Sequence, residues 1–272
     1  MPTTKFLFWN INRKPLAGVV ADLAEEHKAD VIVLAECDID SATMLMTLNR
    51  RERGQFHLPP GKNRAIHIFT RFSRDFLQLL HDDNRFTIRR SSLPARSELL
   101  LVAVHLRSKL HQSDESQKFA CATLVRTIEE KEKQVGHRRT VLVGDFNMNP
   151  FESGMVGAEG LHSVMSRQVS SRGSRKIRGR EYPFFYNPMW SHLGDARSQT
   201  AGTYFHDNSQ HVNYFWNTFD QVLLRPELAA RFDPNRIRIV TAAGKRSLVR
   251  PNGRPDNTSS SDHLPLVFEL EF

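Results

Sequence analysis

The feature that most constrains this chain is the way its apolar strands end. Short apolar runs bounded by polar residues read as buried strands. Here each run closes on one residue suited to metal or phosphate chemistry. Residues 6–9 (Phe-Leu-Phe-Trp) end in Asn10, and residues 31–35 (Val-Ile-Val-Leu-Ala) end in Glu36. Residues 99–104 end in His105, and residues 141–144 end in Asp145, with Asn147 two positions on. Two later strands begin, rather than finish, this way: Asp220 precedes residues 221–224, and Asp262 and His263 precede residues 264–268. If these last two run antiparallel to the first four, every polar end meets on one rim. Rigid strands would then hold the site and loops would complete a cleft. One such residue only marks where a strand leaves the core. Six drawn from Asn, Asp, Glu and His, without Lys, Ser or Thr, form a ligand set that hard divalent cations prefer. Histidines beside carboxylates are the usual general acids and bases.

The rest of the chain alternates strands and helices. Strands are expected at 5–9, 30–35, 98–104, 140–144, 221–224, 236–241 and 264–272. In the last, Leu266, Phe268, Leu270 and Phe272 share a face. Helices are expected at 16–28, 41–51 and 113–134, the last capped by Ser113, with Ser116 as the weaker alternative. Residues 65–70, 76–80 and 86–90 read as three consecutive antiparallel strands. The expected arrangement is α/β (α+β), in one domain over residues 1–272, with long substrate-facing loops at 148–218 and 245–260.

Lys and Arg number 38 against 30 Asp and Glu, a formal net charge of +8. That surplus favours polyanionic partners, nucleic acid foremost. Between 167 and 180 the chain carries Arg167, Arg172, Arg175, Lys176, Arg178 and Arg180 and no acidic residue. Its Ser and Gly content predicts a loop, and its place after residues 144–147 (GDFN) predicts that it overhangs the cleft, with Arg172, Arg175, Lys176 and Arg178 binding substrate phosphates. No apolar stretch approaches the roughly 20 residues of a bilayer span, so no stable membrane association is expected. The four-residue apolar run near the start is too short for an export signal. Cys37 and Cys121 lack metal-ligand spacing and read as buried and reduced, which predicts a cytoplasmic protein.

Six segments also occur in an order that resembles a known family. They are FWNIN (8–12), VLAE (33–36), VHL (104–106), GDFN (144–147), FDQVLL (219–224) and SDHLP (261–265). Together they resemble the endonuclease/exonuclease/phosphatase superfamily, with pancreatic-type deoxyribonuclease, apurinic-site endonucleases, neutral sphingomyelinases and inositol polyphosphate phosphatases. The resemblance implies a four-layer sandwich, helices outside two packed mixed sheets, and Mg²⁺-dependent cleavage of a phosphate ester, with Mn²⁺ as a substitute. It implies Asn10, Glu36 and Asp262 as metal-side ligands. It implies His263 as the group that deprotonates water or contacts the phosphate, with Asp220 orienting it. It gives Asp145 a place near the leaving oxygen or a second ion, Asn147 an amide contact to phosphoryl oxygens, and His105 a general-acid role. Apurinic-site enzymes usually carry Tyr where His105 stands, which places the chain nearer the deoxyribonuclease and phosphodiesterase branch. Gln221 stands where many relatives have Tyr or His. The carboxylate partner of His105 stays open, with Glu98 and Asp75 as candidates.

Other polar and aromatic residues have blander readings. Asp38 and Asp40 fit a solvated loop, and register favours Asn10 and Asn147 over Asn12 and Asn149. His206 and His211 lack a third zinc ligand nearby. Trp190, His192, Tyr214, Phe215 and Trp216 fit packing better than base stacking. The leading expectation is a DNA nuclease, ahead of RNA. The alternatives are a phosphoesterase on phosphoinositide or other phospholipid head groups, and a degenerate nucleic-acid-binding module.

Overall fold

A computed structural model describes residues 3–108, 113–195 and 200–271. Phe272, and residues 196–199 of the expected loop at 148–218, lie outside the described residues. The first elements are β1 (Thr3–Asn10), α1 (Ala17–Glu26), β2 (Val31–Ala35), α2 (Ser41–Asn49) and β3 (Ile66–Thr70). Next come β4 (Leu77–Asp82), β5 (Phe86–Ser91), β6 (Leu99–His105), α3 (Asp114–Val135) and β7 (Thr140–Asp145). The irregular middle holds β8 (Ser163–Val164), β9 (Ser174–Ile177), β10 (Arg180–Pro183) and β11 (Phe185–Tyr186). The remainder holds β12 (Tyr204–Phe205), β13 (Trp216–Asn217), β14 (Asp220–Leu224), β15 (Arg238–Ile239), β16 (Ala242–Ala243), β17 (Arg246–Ser247) and β18 (Leu266–Glu271).

Two mixed sheets dominate. One runs β15-β18-β1-β2-β3 and the other β4-β5-β6-β7-β14-β11-β8. Their strands read as near-continuous apolar runs because both faces are covered. Strand alternation shows how. Leu99, Leu101 and Ala103 of β6 join Val141 and Val143 of β7 in the core shared with the first sheet. Leu100, Val102, Val104 and Leu142 point the other way and pack on Cys121, Leu124 and Ile128 of α3. The Ser113 Oγ accepts from the Ser116 amide at the start of α3, and Gly136 ends it in the left-handed region at φ 76°. Cys37 and Cys121 are free and buried in separate clusters, and burial pushes their thiols up to about 11 and about 12.

Strand direction decides where the polar ends fall. β1 and β2 run parallel, as do β6 and β7. β14 is antiparallel to β7 with Asp220 opposite Asp145, and β18 is antiparallel to β1 with Leu266 opposite Phe8. The residues that end the first four strands and those that precede the last two therefore share one rim.

Three expectations need correction. Residues 65–70 do not continue into the next two strands: β3 pairs with β2 in the first sheet, while β4 and β5 belong to the second. Every alternate position of β3 is apolar or buried, so it fits an interior partner better than a meander edge. The strand expected at 236–241 shrinks to β15, preceded by a 3-10 turn that Pro234 opens. The segment 167–180 is not a loop. It forms a helical turn (Arg167–Ser170), then strand β9, which pairs with β10 as a hairpin.

The end of the second sheet away from the rim is locked by a buried ion pair. Arg225 Nε lies 2.8 Å from Glu132 Oε1 of α3, and Arg225 Nη1 donates to the Phe184 carbonyl at 3.1 Å. The Thr140 hydroxyl donates to the same Glu132 at 2.7 Å, and the guanidinium stacks on Phe185. Glu132→Ala strands a fully buried guanidinium and should lower unfolding free energy by about 3–5 kcal/mol. At the other end, a Cβ on Gly144 would collide with the Val104 carbonyl of the neighbouring strand. Gly144→Ala should cost about 1–3 kcal/mol, because backbone cannot rotate away. Urea midpoints test both; wild-type midpoints would show that neither contact matters.

Candidate active site

Asp145 is the centre of the rim, only 1% exposed. Its Oδ2 accepts from Asn10 Nδ2 at 3.0 Å and Asn147 Nδ2 at 3.2 Å, and its Oδ1 accepts from the Asn147 amide at 2.8 Å. His105 Nε2 and His263 Nε2 each lie 3.9 Å from Oδ2. Glu36 Oε1 stands 3.3 Å from His105 Nε2 and 3.4 Å from Asn10 Nδ2. His263 Nδ1 meets Asp220 Oδ2 at 2.8 Å, and the Tyr204 ring packs on the His263 imidazole with centroids 4.7 Å apart. Asp262 is half-buried and lines the same cleft, of about 1100 Å³. Asn10, Glu36, His105, Asp145, Asn147, Asp220, Asp262 and His263 therefore surround one space.

The backbone is bent to aim two of these groups. Glu36 and Asn147 adopt left-handed conformations at φ 47° and 51°. Asn tolerates that region; Glu pays for it by about 1–2 kcal/mol. The Ser261 hydroxyl ties the incoming segment to the Asn10 carbonyl at 2.7 Å, and the Trp9 indole donates to the His263 carbonyl at 2.8 Å. These bonds join the two loops that carry the metal-side and histidine-side groups.

Charge is distributed unevenly. The hydrogen bond from His105 outweighs burial and holds the Glu36 carboxyl down at about 2, so it is ionised. Burial works against charge on His263, but Asp220 and Asp145 together carry it up to about 10. Burial pushes the Asp220 carboxyl upward while the His263 charge pulls it back. Burial, then Asp262, Asp145 and Glu36, raise the Tyr204 phenol to about 12, so it stays neutral.

Two donor groupings could hold a cation. Asp145, Asp220 and His263 bring ligand atoms within 4.8 Å of one another. However, His263 Nδ1 is taken up by Asp220 Oδ2, and Asp220 is fully buried, which leaves them a hydrogen-bonded dyad behind the cleft. Glu36 and Asp262 are the better fit. Both are partly exposed to the cleft, and the ionised Glu36 is opposed by Arg13, whose Nε is 3.8 Å from Oε2. Oxygen donors beside an open cleft suit a hard divalent ion.

Several expected roles change with this geometry. Asn10 turns its NH₂ toward Asp145 and Glu36, and its Oδ1 accepts from the Asn12 amide at 3.0 Å. It is a donor that separates two carboxylates rather than a metal ligand. Asn147 Nδ2 spends its hydrogens on Leu106 O and Asp145, so it holds Asp145 instead of donating to a phosphate. Neither candidate partner reaches His105: Glu98 pairs with His137 and Arg90, and Asp75 bonds Ser73. Among the described residues His105 Nδ1 is buried without a partner. The four cations Arg172, Arg175, Lys176 and Arg178 are absent from the cleft. Tyr186, just past the hairpin, pairs with Leu224, at the end of β14 farthest from Asp220.

Most of the other singled-out residues cap, pack or stay in solvent, while Tyr214 and Phe215 remain largely exposed. Asp40 caps α2 by accepting from Ala42 and Thr43 amides, and Asp38 is exposed. Asn149 ties down the cleft wall through Asn217 and the Thr218 amide. Gln221 is buried and bridges Asn187 and the Met148 carbonyl. His211 is exposed, and His206 faces the cleft without joining a metal cluster among the described residues. Trp190 packs edge-on to Phe151, and Trp216 on Phe205, while His192 is buried. Tyr214 stays 56% exposed at the cleft rim, edge-on to Phe151. Sequence reading missed Arg13, Arg85 and Arg107, which also line the cleft. Burial, then the nearby Arg107 charge, lowers the basicity of Arg85, and neither arginine forms an ion pair among the described residues. The one available signal was Arg107 standing two residues after His105.

No curated protein matches the chain. Truncated Caenorhabditis elegans TDP2 superposes with a TM-score of 0.60 at 14% identity, covering 99% of this chain and 98% of that one. D. rerio TDP2 complexed with single strand DNA product gives 0.59 at 15%, covering 100% of both chains. The 3' phosphatase NExo from Neisseria, bound to product DNA hairpin, gives 0.56 at 16%, covering 99% of this chain and 100% of that one. Such identities establish the shared fold, two mixed sheets flanked by helices. In sequence, residues 7–263 match the Endonuclease/Exonuclease/phosphatase family. With the strand ends of that whole span gathered on one rim, the chain belongs to the Endonuclease/Exonuclease/phosphatase family of metal-dependent phosphoesterases.

Proposed function

We propose that this phosphoesterase is a phosphodiesterase cleaving nucleic acid, DNA in preference to RNA, with Mg²⁺ or Mn²⁺ as its ion. The observation that carries the reading is the cleft itself. At about 1100 Å³ it exceeds most small-molecule pockets, and it is lined by Arg85 and Arg107 near His105 and by Tyr214. Guanidiniums for flanking phosphates and an exposed aromatic for a base suit a polymer more than a single head group. The DNA products held by the D. rerio and Neisseria proteins support the same substrate class.

Glu36 and Asp262 are the groups that would hold the divalent ion, which supplies positive charge to the phosphoryl oxygens. The remaining work falls to side chains. Asp220 fixes the His263 ring and stabilises its protonated form, so Nε2 faces the cleft carrying a proton for a phosphoryl oxygen. Asn10 and Asn147 hold Asp145 still between the histidines. Tyr204 covers one face of His263 and keeps solvent from it. His105 Nε2 bridges Glu36 and Asp145, so the metal-side and histidine-side carboxylates share one positioning group.

A substrate panel tests the reading. Plasmid and single-stranded DNA should be cleaved with Mg²⁺ or Mn²⁺ and not in EDTA, with RNA and phosphoinositides slower. Faster release of phosphate from phosphoinositides would sink it. Asp220→Asn keeps the shape of a buried side chain but removes the charge behind His263. It should lower kcat by about 10²–10⁴ while leaving the thermal midpoint near wild type. Glu36→Gln should lower kcat by roughly 10²-fold and raise the ion concentration needed for half activity. A variant with wild-type ion dependence would remove Glu36 from the ion's ligands.

A further inference from the structure

The basic segment remains without a role in the cleft, and its geometry suggests one elsewhere. β9 and β10 pair through Arg175 with Tyr182, Lys176 with Glu181 and Ile177 with Arg180. They belong to neither large sheet and form a separate two-stranded ribbon. Its turn is Arg178-Gly179, both with positive φ (47° and 86°), the conformation of a tight two-residue hairpin. The base of the ribbon is fixed: the Phe184 amide donates to the Gly173 carbonyl at 3.0 Å, and His162 Nδ1 meets the Tyr182 carbonyl at 3.0 Å. Arg225 holds the Phe184 carbonyl in turn. The ribbon is therefore presented in one orientation, beyond the end of β14 opposite the catalytic rim.

Its charge is unbalanced. Arg175, Lys176, Arg178 and Arg180 are exposed, and Arg180 lies over the Tyr182 ring. Between Glu159 and Asp195 the only acidic residue is Glu181. It stands across from Lys176, yet none of Arg175, Lys176 and Arg178 forms an ion pair among the described residues. A solvated surface usually intersperses both signs; this ribbon does not. No large exposed apolar side chain lies on it, so it lacks the wedge that a membrane-surface element buries. A two-stranded ribbon is narrow enough to enter a major groove, and cations along both strands can meet the phosphates on either side.

We propose that the β9–β10 ribbon is a second nucleic-acid-binding surface, engaging duplex away from the catalytic cleft. It tethers the enzyme to a polymer while the cleft acts on another segment or molecule. This goes beyond the cleavage proposed above, because it concerns binding and does not need the cleft to be active.

The test is the triple variant Arg175→Gln, Lys176→Gln, Arg178→Gln, measured in EDTA by fluorescence anisotropy with a labelled DNA duplex. Affinity should fall about tenfold or more, and the slope of log affinity against log salt should flatten by about 2 to 3, as expected for three lost phosphate contacts. The matching variant with Lys at all three positions should bind like wild type. With Mg²⁺, hydrolysis of thymidine 5'-monophosphate p-nitrophenyl ester should be unchanged by the triple variant. Unaltered duplex affinity and salt slope would overturn the proposal. So would loss of binding to phosphatidylserine vesicles in the triple variant with duplex binding retained. A wild-type protein that binds duplex through the ribbon but cleaves no nucleic acid would defeat the nuclease reading and leave this one standing.

Discussion

Two apolar sheets packed face to face leave no room for a carboxylate except where the strands run out. Burying an unpaired charge costs several kcal/mol, so each such group needs a donor or a cation beside it. At this rim the cost is met by cross-linking. Asn10 from the first sheet reaches Asp145 in the second at 3.0 Å, and His105 stands between Glu36 and Asp145. The bonds that make acidic residues tolerable at the rim also fix the distance between the two halves of the site. Stability and catalytic geometry have the same origin here.

That arrangement also explains the electrostatic asymmetry. On the second sheet, Asp145 is ringed by donors, Asp220 grips the His263 ring through Oδ2, and together they keep the proton on His263. On the first sheet, Glu36 and Asp262 stay open to the cleft, and Arg13 is the one guanidinium paired with Glu36 among the described residues. One side favours a cationic imidazole, and the other offers the open carboxylates proposed above to hold the ion. Arg85 and Arg107 extend the positive charge along the wall of the same cleft.

The rim was legible in the sequence because strands have period two and abrupt ends. Asn10, Glu36, His105 and Asp145 are visible as single polar residues closing apolar runs, and motif order made the antiparallel return of Asp220 and His263 readable. Direction of a side chain was not legible. Whether Asn10 offers oxygen or nitrogen depends on the Asn12 amide, and whether Asn147 is free depends on the Leu106 carbonyl; both bonds follow from local turns. Sheet membership was likewise hidden for β3, since an apolar strand fits either sheet until its neighbours are known. The segment 167–180 failed in another way. Its Ser and Gly content describes a turn-rich stretch, and the hairpin around Arg178-Gly179 satisfies the same composition as a loop.

Proximity in sequence to GDFN suggested that the basic segment would cover the cleft, but chain distance says little about position in a sheet whose strands reverse. From Asp145 the chain leaves the rim, and by Phe185 it has returned to the second sheet at the level of Leu224, beside the locked Arg225–Glu132 pair. That pair, through the Phe184 carbonyl, gives the ribbon a firm base. A cationic hairpin at the rim would also have competed with the divalent ion for Glu36 and Asp262. Placing it at the opposite end lets the protein carry a strong polyanion attraction without filling its own acidic site, so affinity for the polymer and chemistry on the phosphate can be set by different residues.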